Sequence, residues 1–244
     1  MVNFKISIAE ITIEIEALFE TTLIFCQKYL TDSHPDFKVS IAREDIDFER
    51  ERARQTDIKE GRPAFNFSDK YLETLAVYRK ISEKLPLYNA FLFHGSAVAV
   101  DGNGYLFTAK SGTGKSTHVA FYREKFAERV LMVNDDKPLI LIKKGQAFVC
   151  GSPWCGKHNL GNNIIVPLKS VCVLTRSDEN YIQSIEAPQV FDILLGQSYR
   201  PHDAVSLAHY MKLFSSFTSV VKFYKLGCNL DPNSAIVSFN GMNN

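Results

Sequence analysis

The chain has no run of about 18 or more apolar residues, so no segment reads as a membrane-spanning helix. It also lacks net charge. Its 28 Lys and Arg against 27 Asp and Glu leave a formal +1, which gives no electrostatic reason for nucleic acid or an anionic membrane as partner. Cysteine is sparse and odd in number: Cys26, Cys150, Cys155, Cys172 and Cys228 form no C-x-x-C pair, and no His/Cys pair at metal spacing accompanies Cys150 and Cys155. A disulfide framework and a zinc site are both disfavoured, and reduced thiols in a cytoplasmic protein are expected. The N-terminus, Met-Val-Asn-Phe-Lys-Ile-Ser, alternates and carries an early charge, unlike a secretory leader. Repeats, low-complexity tracts and an obvious linker are missing too.

What is present is an ordinary globular composition: 244 residues, 45% hydrophobic and 23% charged, enough for one large domain or a domain with a smaller appended layer. The alternation Phe4-Ile6-Ile8 and Ile11-Ile13-Ile15 predicts a strand pair, followed by helical spacing from Glu16 to Tyr29. The mixed-charge segment Arg43 to Arg54 reads as a solvated helix or loop face. A helix is expected from Ser68 to Leu85, with Leu72, Leu75, Ala76, Tyr78, Ile81 and Leu85 on one stripe. Beyond Asn89, short apolar strands alternate with turns: 90–100, 105–108, 130–133, 139–142, 147–150, 171–175 and 181–185. Turn signals stand at Gly102-Asn103-Gly104 and Lys144-Gly145. Helices over 188–198 and 203–217 and a strand over 219–226 complete the reading. Hairpins outnumber βαβ units, so the expected fold is α/β with α+β character, a mixed and partly antiparallel sheet around a phosphate-loop core. The expected division is an N-terminal α/β lead-in over 1–87, packed on the core, and a kinase domain over 88–244.

That core is announced by Ala109-Lys110-Ser111-Gly112-Thr113-Gly114-Lys115-Ser116-Thr117, which matches [AG]-x-x-x-x-G-K-[ST] between a strand and a helix. Glycines let successive N–H groups turn inward around an anion, and the following helix aims its positive end there. Ser111 to Thr117 are the candidate nucleotide-binding residues. Lys115 is expected to reach the β/γ-phosphates, and the Ser116 hydroxyl to ligate Mg2+. A Gly/Ser turn opening a structural helix is the plainer alternative.

Asn134-Asp135-Asp136 leaves the strand 130–133, one helix and one strand after Lys115. Acidic residues returned to that edge can ligate Mg2+ or take a proton from an attacking hydroxyl, whereas alone before Lys-Pro they read as a turn. His94, within the apolar run around Phe93, is by itself a core histidine. The segment 150–161 reads as a shaped loop, with Trp154 packing and Lys157 open to an acidic group. Arg176 and Arg200 are weaker candidates for a phosphoryl clamp.

The order His94-Gly95-Ser96-Ala97-Val98, the turn 101–104, the loop 109–117 and Asp135-Asp136 resembles the superfamily of HPr kinase/phosphorylase and the phosphoenolpyruvate carboxykinases. The closest look is to short, single-domain HPr-kinase-like bacterial proteins, over residues 88–176. The resemblance implies an HPr kinase-like or carboxykinase-like fold that binds ATP and Mg2+. It places Lys115, Asp135, Asp136 and His94 at the catalytic centre, with Ser116 on the metal and the Asp pair supplying a base and a metal ligand. Asp136 is the candidate ligand, and which carboxylate does which job stays open. In the carboxykinases the histidine binds a transition metal. Residues 156–162 depart from the HPr kinase glycine-rich signature, and oxaloacetate-binding arginines are not located. The function implied is transfer of the γ-phosphate to a hydroxyl, foremost a serine on a protein or peptide. A small-molecule kinase, a carboxykinase-like enzyme and a non-catalytic nucleotide-binding regulatory module are the alternatives. Nucleotide and a protein, peptide or small-molecule acceptor are the expected partners, with no nucleic acid or membrane; self-association stays open.

Overall fold

The protein is described from a computed structural model over residues 1–110 and 112–243. It divides into two compact units, Met1–Lys84 and Leu85–Asn244.

In the first unit, β1 (Val2–Ile8) and β2 (Ile11–Ala17) form the antiparallel hairpin that the isoleucine alternation predicts. Ala9 and Glu10 turn the chain at φ +51° and +64°, the mirror-image turn that matches strand twist. The helix expected from Glu16 is corrected: α1 covers only Glu20–Phe25, because Glu16 stays in the sheet, paired with Asn3 on one side and Ser40 on the other. β3 (Phe37–Ser40) lies parallel to β2. The charged segment is a helix, α2 (Arg43–Lys59), and α3 (Asp69–Lys84) follows the predicted stripe, burying Leu72, Ala76 and Ile81. The charges of α2 are not all solvated. Buried Glu49 binds Arg79 of α3 at 2.5 Å, and Asp45 binds Lys80 at 2.5 Å. Buried Glu73 accepts the Leu18 and Phe19 N–H groups at 2.5 and 3.1 Å, just before α1.

The second unit contains β4 (Ala90–Leu92), β5 (Ser96–Val100), β6 (Asn103–Thr108), α4 (Lys115–Phe126), β7 (Val130–Asn134), β8 (Leu139–Lys143), β9 (Gln146–Cys150), β10 (Ile165–Arg176), β11 (Tyr181–Ile185), α5 (Ala187–Gly196), α6 (Ala204–Val220), β12 (Lys222–Cys228) and α7 (Asn233–Asn243). The long β10 holds the sheet together. Its first residues pair with β9 and so with β8 and β4; the remainder lies between β6 and β12, with β5 and β7 beyond β6 and β11 beyond β12. β6, β10 and β12 are mutually parallel and their outer neighbours antiparallel, so the sheet is mixed, as the hairpin-rich texture implies. Asp101-Gly102 and Lys144-Gly145 make the tight turns with positive φ. Asn103 and Gly104, expected in the turn, already belong to β6.

Both faces of this sheet are covered. Along β10, Val171 and Val173 face Val190, Leu194, Tyr210, Phe214 and Phe217 of α5 and α6. Cys172 and Leu174, the alternate residues, face Val119 and Tyr122 of α4 and Ala235 and Met242 of α7. Several elements differ from the sequence reading: the strand expected over 90–100 is split into β4 and β5, and β10 begins at Ile165 instead of 171. Residues 219 and 220 close α6 instead of opening a strand, and α7 is a helix the sequence did not announce. Its buried face is built from Ser234, Ala235, Ser238 and Met242, a stripe too polar to stand out by periodicity.

Candidate functional site

Strand direction assembles the site. β5 is antiparallel to both β6 and β7, and β10 and β12 are parallel to β6. Thr108, Asn134, Arg176 and Cys228 therefore end their strands on one edge of the sheet, and β5 begins there. In open α/β sheets ligands bind outside the carboxyl ends of such strands.

The loop occupies the centre of this edge. Gly112 and Gly114 stand at φ +76° and +115° in open space, so it is the backbone angle that calls for glycine there. No side chain caps α4 at Gly114, which leaves its leading N–H groups facing the loop. The Thr113 hydroxyl donates to the Lys110 carbonyl at 2.8 Å and bends the loop. Lys115 reaches back and donates its Nζ to the Ala109 carbonyl at 3.2 Å. Partial burial pushes its ammonium below the usual value; the Asp136 carboxylate opposes this, and Lys137 adds to it. Ser116 and Thr117 are exposed on the first turn of α4. Ser111 lies outside the described residues.

The carboxylates arrive at the end of β7, which is separated from β6 by β5. Buried Asn134 sets their turn: its Oδ1 accepts the N–H groups of Asp136 and Lys137 at 2.8 and 2.6 Å, and its Nδ2 donates to Ser152. Asp136 is gripped on both oxygens, by His94 Nε2 at 3.2 Å and by Lys137 Nζ at 2.9 Å. Burial pushes its carboxyl up, but the His94 hydrogen bond and the Lys137 charge outweigh it and hold the group at about 2. Asp135 is oriented differently, with Oδ1 accepting the Gly156 N–H at 2.7 Å. A Cβ at Gly156 would stand 3.2 Å from its other oxygen, so the segment 151–162 closes directly onto this side chain. Gly151 anchors that segment, since any side chain there would strike the Asn162 carbonyl.

His94 is not in the middle of a strand, as the apolar run suggested. The chain leaves β4 at Leu92 and enters β5 at Ser96, and between them the N–H groups of Phe93, His94 and Gly95 donate to Pro138, Gln197 and Asp136 at 3.0, 2.6 and 3.0 Å. Gly95 permits this because a Cβ there would lie 2.8 Å from the Phe107 carbonyl. The structure thus brings together Lys115, Asp135, Asp136 and His94. Lys157 and Arg200 are exposed. Arg176 touches the loop, not the carboxylates, donating to the Gly112 carbonyl at 2.9 Å. Trp154 is buried, as expected of a packing residue.

Three features escaped the sequence. Lys137 follows the Asp pair directly, but its Lys-Pro context suggested only a turn. The Gly156 amide carries no side-chain signature. A cavity of about 770 Å³ opens beside the loop, lined by Gly112, Phe121, Arg176, Asp178, Cys228 and Leu230 among others.

Among the described residues, no group of three or more His, Cys, Asp or Glu could hold a metal ion unaided. The donors do suit a Mg2+ that arrives with a nucleotide, which needs only one or two protein oxygens beside phosphate and water. No helix among the described residues is long and apolar enough to cross a membrane.

No family model matches the chain, and no curated relative matches it. Among solved structures it is similar to the Hpr(Ser) kinase/phosphatase from Coxiella burnetii. The identity is 13% and the TM-score 0.36, over 62% of this chain and 93% of that one. The likeness is distant.

Proposed function

We propose that the chain is a nucleotide-dependent phosphotransferase that moves the γ-phosphoryl group of ATP to a hydroxyl, in the manner of HPr kinase-like serine kinases. The observation that carries this reading is the placement of Asp136 against the phosphate loop, close enough for its charge to act on Lys115, with Asp135 beside it. A turn with no chemical role has no need of a carboxylate held by two side chains and acting on a phosphate-loop lysine.

In this reading the amides of residues 112–117 and the Lys115 ammonium hold the β- and γ-phosphates, Lys115 exchanging the Ala109 carbonyl for phosphate oxygen. Ser116 and Asp136 would hold the Mg2+ that comes with the nucleotide, and that ion would supply charge neutralisation on the phosphates. Asp136 suits this role because a carboxyl held at about 2 stays ionised and is a poor proton acceptor. Asp135 is then the base for the acceptor hydroxyl, oriented by the Gly156 amide. His94 and Lys137 are positioning groups that keep Asp136 charged and fixed. Catalysis rests on alignment and charge stabilisation. The acceptor proposed, serine on a protein or peptide, is the one that the resemblance to HPr kinase/phosphorylase implies.

The test is incubation of the full chain with γ-labelled ATP, Mg2+ and a serine-containing protein or peptide fraction. Label is expected on a serine hydroxyl, and Asp135→Asn should lose transfer while retaining nucleotide. Absence of nucleotide binding, or undiminished transfer in both Asp135→Asn and Asp136→Asn, refutes the reading.

A further inference from the structure

We infer that the acceptor hydroxyl sits in an acidic segment: a serine with Asp or Glu close to it in sequence, whose flanking carboxylates are met by Lys157 and His158. The inference rests on the phosphotransfer reading, with Asp135 as the group that faces the acceptor. Asp135 accepts the Gly156 N–H at 2.7 Å, and Lys157 and His158 are the next two residues of the chain. An extended peptide advances about 3.3 Å per residue, so when its hydroxyl is at Asp135 the neighbouring side chains fall within the sweep of a lysine stem one residue beyond Gly156. Asp135 stands at the hydroxyl and Lys157 outward of it. Charge on the flanking residues is therefore read by the lysine.

The turn that carries these two residues is fixed, and their side chains are not. The Asn159 N–H closes the turn onto the Gly156 carbonyl at 2.9 Å. Downstream, Asn162 ties the segment to β7, its N–H on the Val133 carbonyl at 3.2 Å and its Nδ2 on the Met132 carbonyl at 2.8 Å. Lys157 and His158 are exposed, and among the described residues neither has an ion pair or a hydrogen bond. A preset backbone with uncommitted polar side chains suits a partner, because little order is lost when the partner binds. The surrounding charge has one sign: from Lys137 to Ser177 the sequence holds no Asp or Glu. Other cations of that stretch are occupied, Lys137 on Asp136, Lys169 on Asn243 and Arg176 on the Gly112 carbonyl, while Lys143 and Lys144 lie at the β8–β9 hairpin. Lys157 is the ammonium left over beside Asp135. His158 adds an N–H donor, which either imidazole tautomer provides.

The test is kinetics on the full chain with ATP, Mg2+ and three synthetic serine peptides, identical except that Glu, Gln or Lys flanks the serine on both sides. The Glu peptide is expected to exceed the Gln peptide by about fivefold in kcat/KM, the size of one exposed ion pair, with the difference in KM. Lys157→Ala should abolish this preference, His158→Ala should weaken it, and Lys157→Glu should turn it toward the Lys peptide. Both side chains are exposed, so these changes do not threaten folding. Equal kcat/KM for the three peptides, or a Glu preference that survives Lys157→Glu, overturns the inference. So does an equal loss on all three peptides in Lys157→Ala, which assigns the lysine to Asp135 instead of the acceptor. If no peptide accepts phosphate, the same peptides with alanine in place of serine are titrated onto the chain holding an unreactive ATP analogue. Selection of the Glu peptide that depends on Lys157 then upholds the acidic partner and overturns the phosphotransfer reading alone; no selection overturns both.

Discussion

Replacing Asp136 by Asn gives the sharpest check on how the carboxylate is held. Its carboxyl stands at about 2 against an ordinary 3.8, a difference worth about 2.4 kcal/mol. A third of the side chain is open to solvent, and screening reduces this to about 1–1.5 kcal/mol. Because the folded-state value is depressed, the contribution is fully present above pH 3.8 and is lost as the pH falls through 2. At pH 7, Asp136→Asn should therefore be less stable than the parent by about 1–1.5 kcal/mol, with His94 and Lys137 left without the carboxylate that both contact. The gap should close between pH 4 and pH 2. Urea unfolding at a series of pH values, followed by the fluorescence of Trp154, reads this directly, since that sole tryptophan is buried in the loop beside the site. A gap that stays constant from pH 7 to 2, or no gap at pH 7, would show that His94 and Lys137 do not hold Asp136 as described.

Other outcomes follow from the same geometry. Lys137→Met should lower ATP turnover by about 10–100-fold while changing nucleotide affinity little, separated by comparing steady-state rates with direct binding; unchanged turnover removes Lys137 from the site. Burial pushes the His118 imidazole down to about 4, so the folded chain resists its protonation. Stability from this source is complete above pH 6.5 and declines by about 3 kcal/mol as the pH falls to 4, and His118→Leu should flatten that decline in thermal melts across the window. Gly151→Ala should cost more than about 2 kcal/mol, because its methyl meets the Asn162 carbonyl; parent-like melting would contradict the close approach. Glu73→Ala, which strips the acceptor from the Leu18 and Phe19 amides, should cost about 2–4 kcal/mol, read by hydrogen exchange at those two amides.

Residue order alone determined whatever depends on a few neighbouring positions. The phosphate loop was legible because glycines at positive φ, a lysine and a hydroxyl stand at fixed spacing between a strand and a helix. The hairpins at Ala9-Glu10, Asp101-Gly102 and Lys144-Gly145 were visible at least in outline, from alternation broken by turn residues. Proximity of the Asp pair to the loop could be anticipated, since one helix and one strand return the chain to the same edge. Tertiary structure decided the rest, because the missing information lay in partners far along the chain. Glu16 is a strand residue only through Asn3 and Ser40, and His94 leaves its strand only because Pro138, Gln197 and Asp136 take its neighbourhood's amides. Lys137 becomes part of the site, and Gly156 the amide on Asp135, once segments 134–137 and 151–162 fold onto each other. The cavity exists only where the ends of β10 and β12 meet α4, and no short stretch of sequence contains all three.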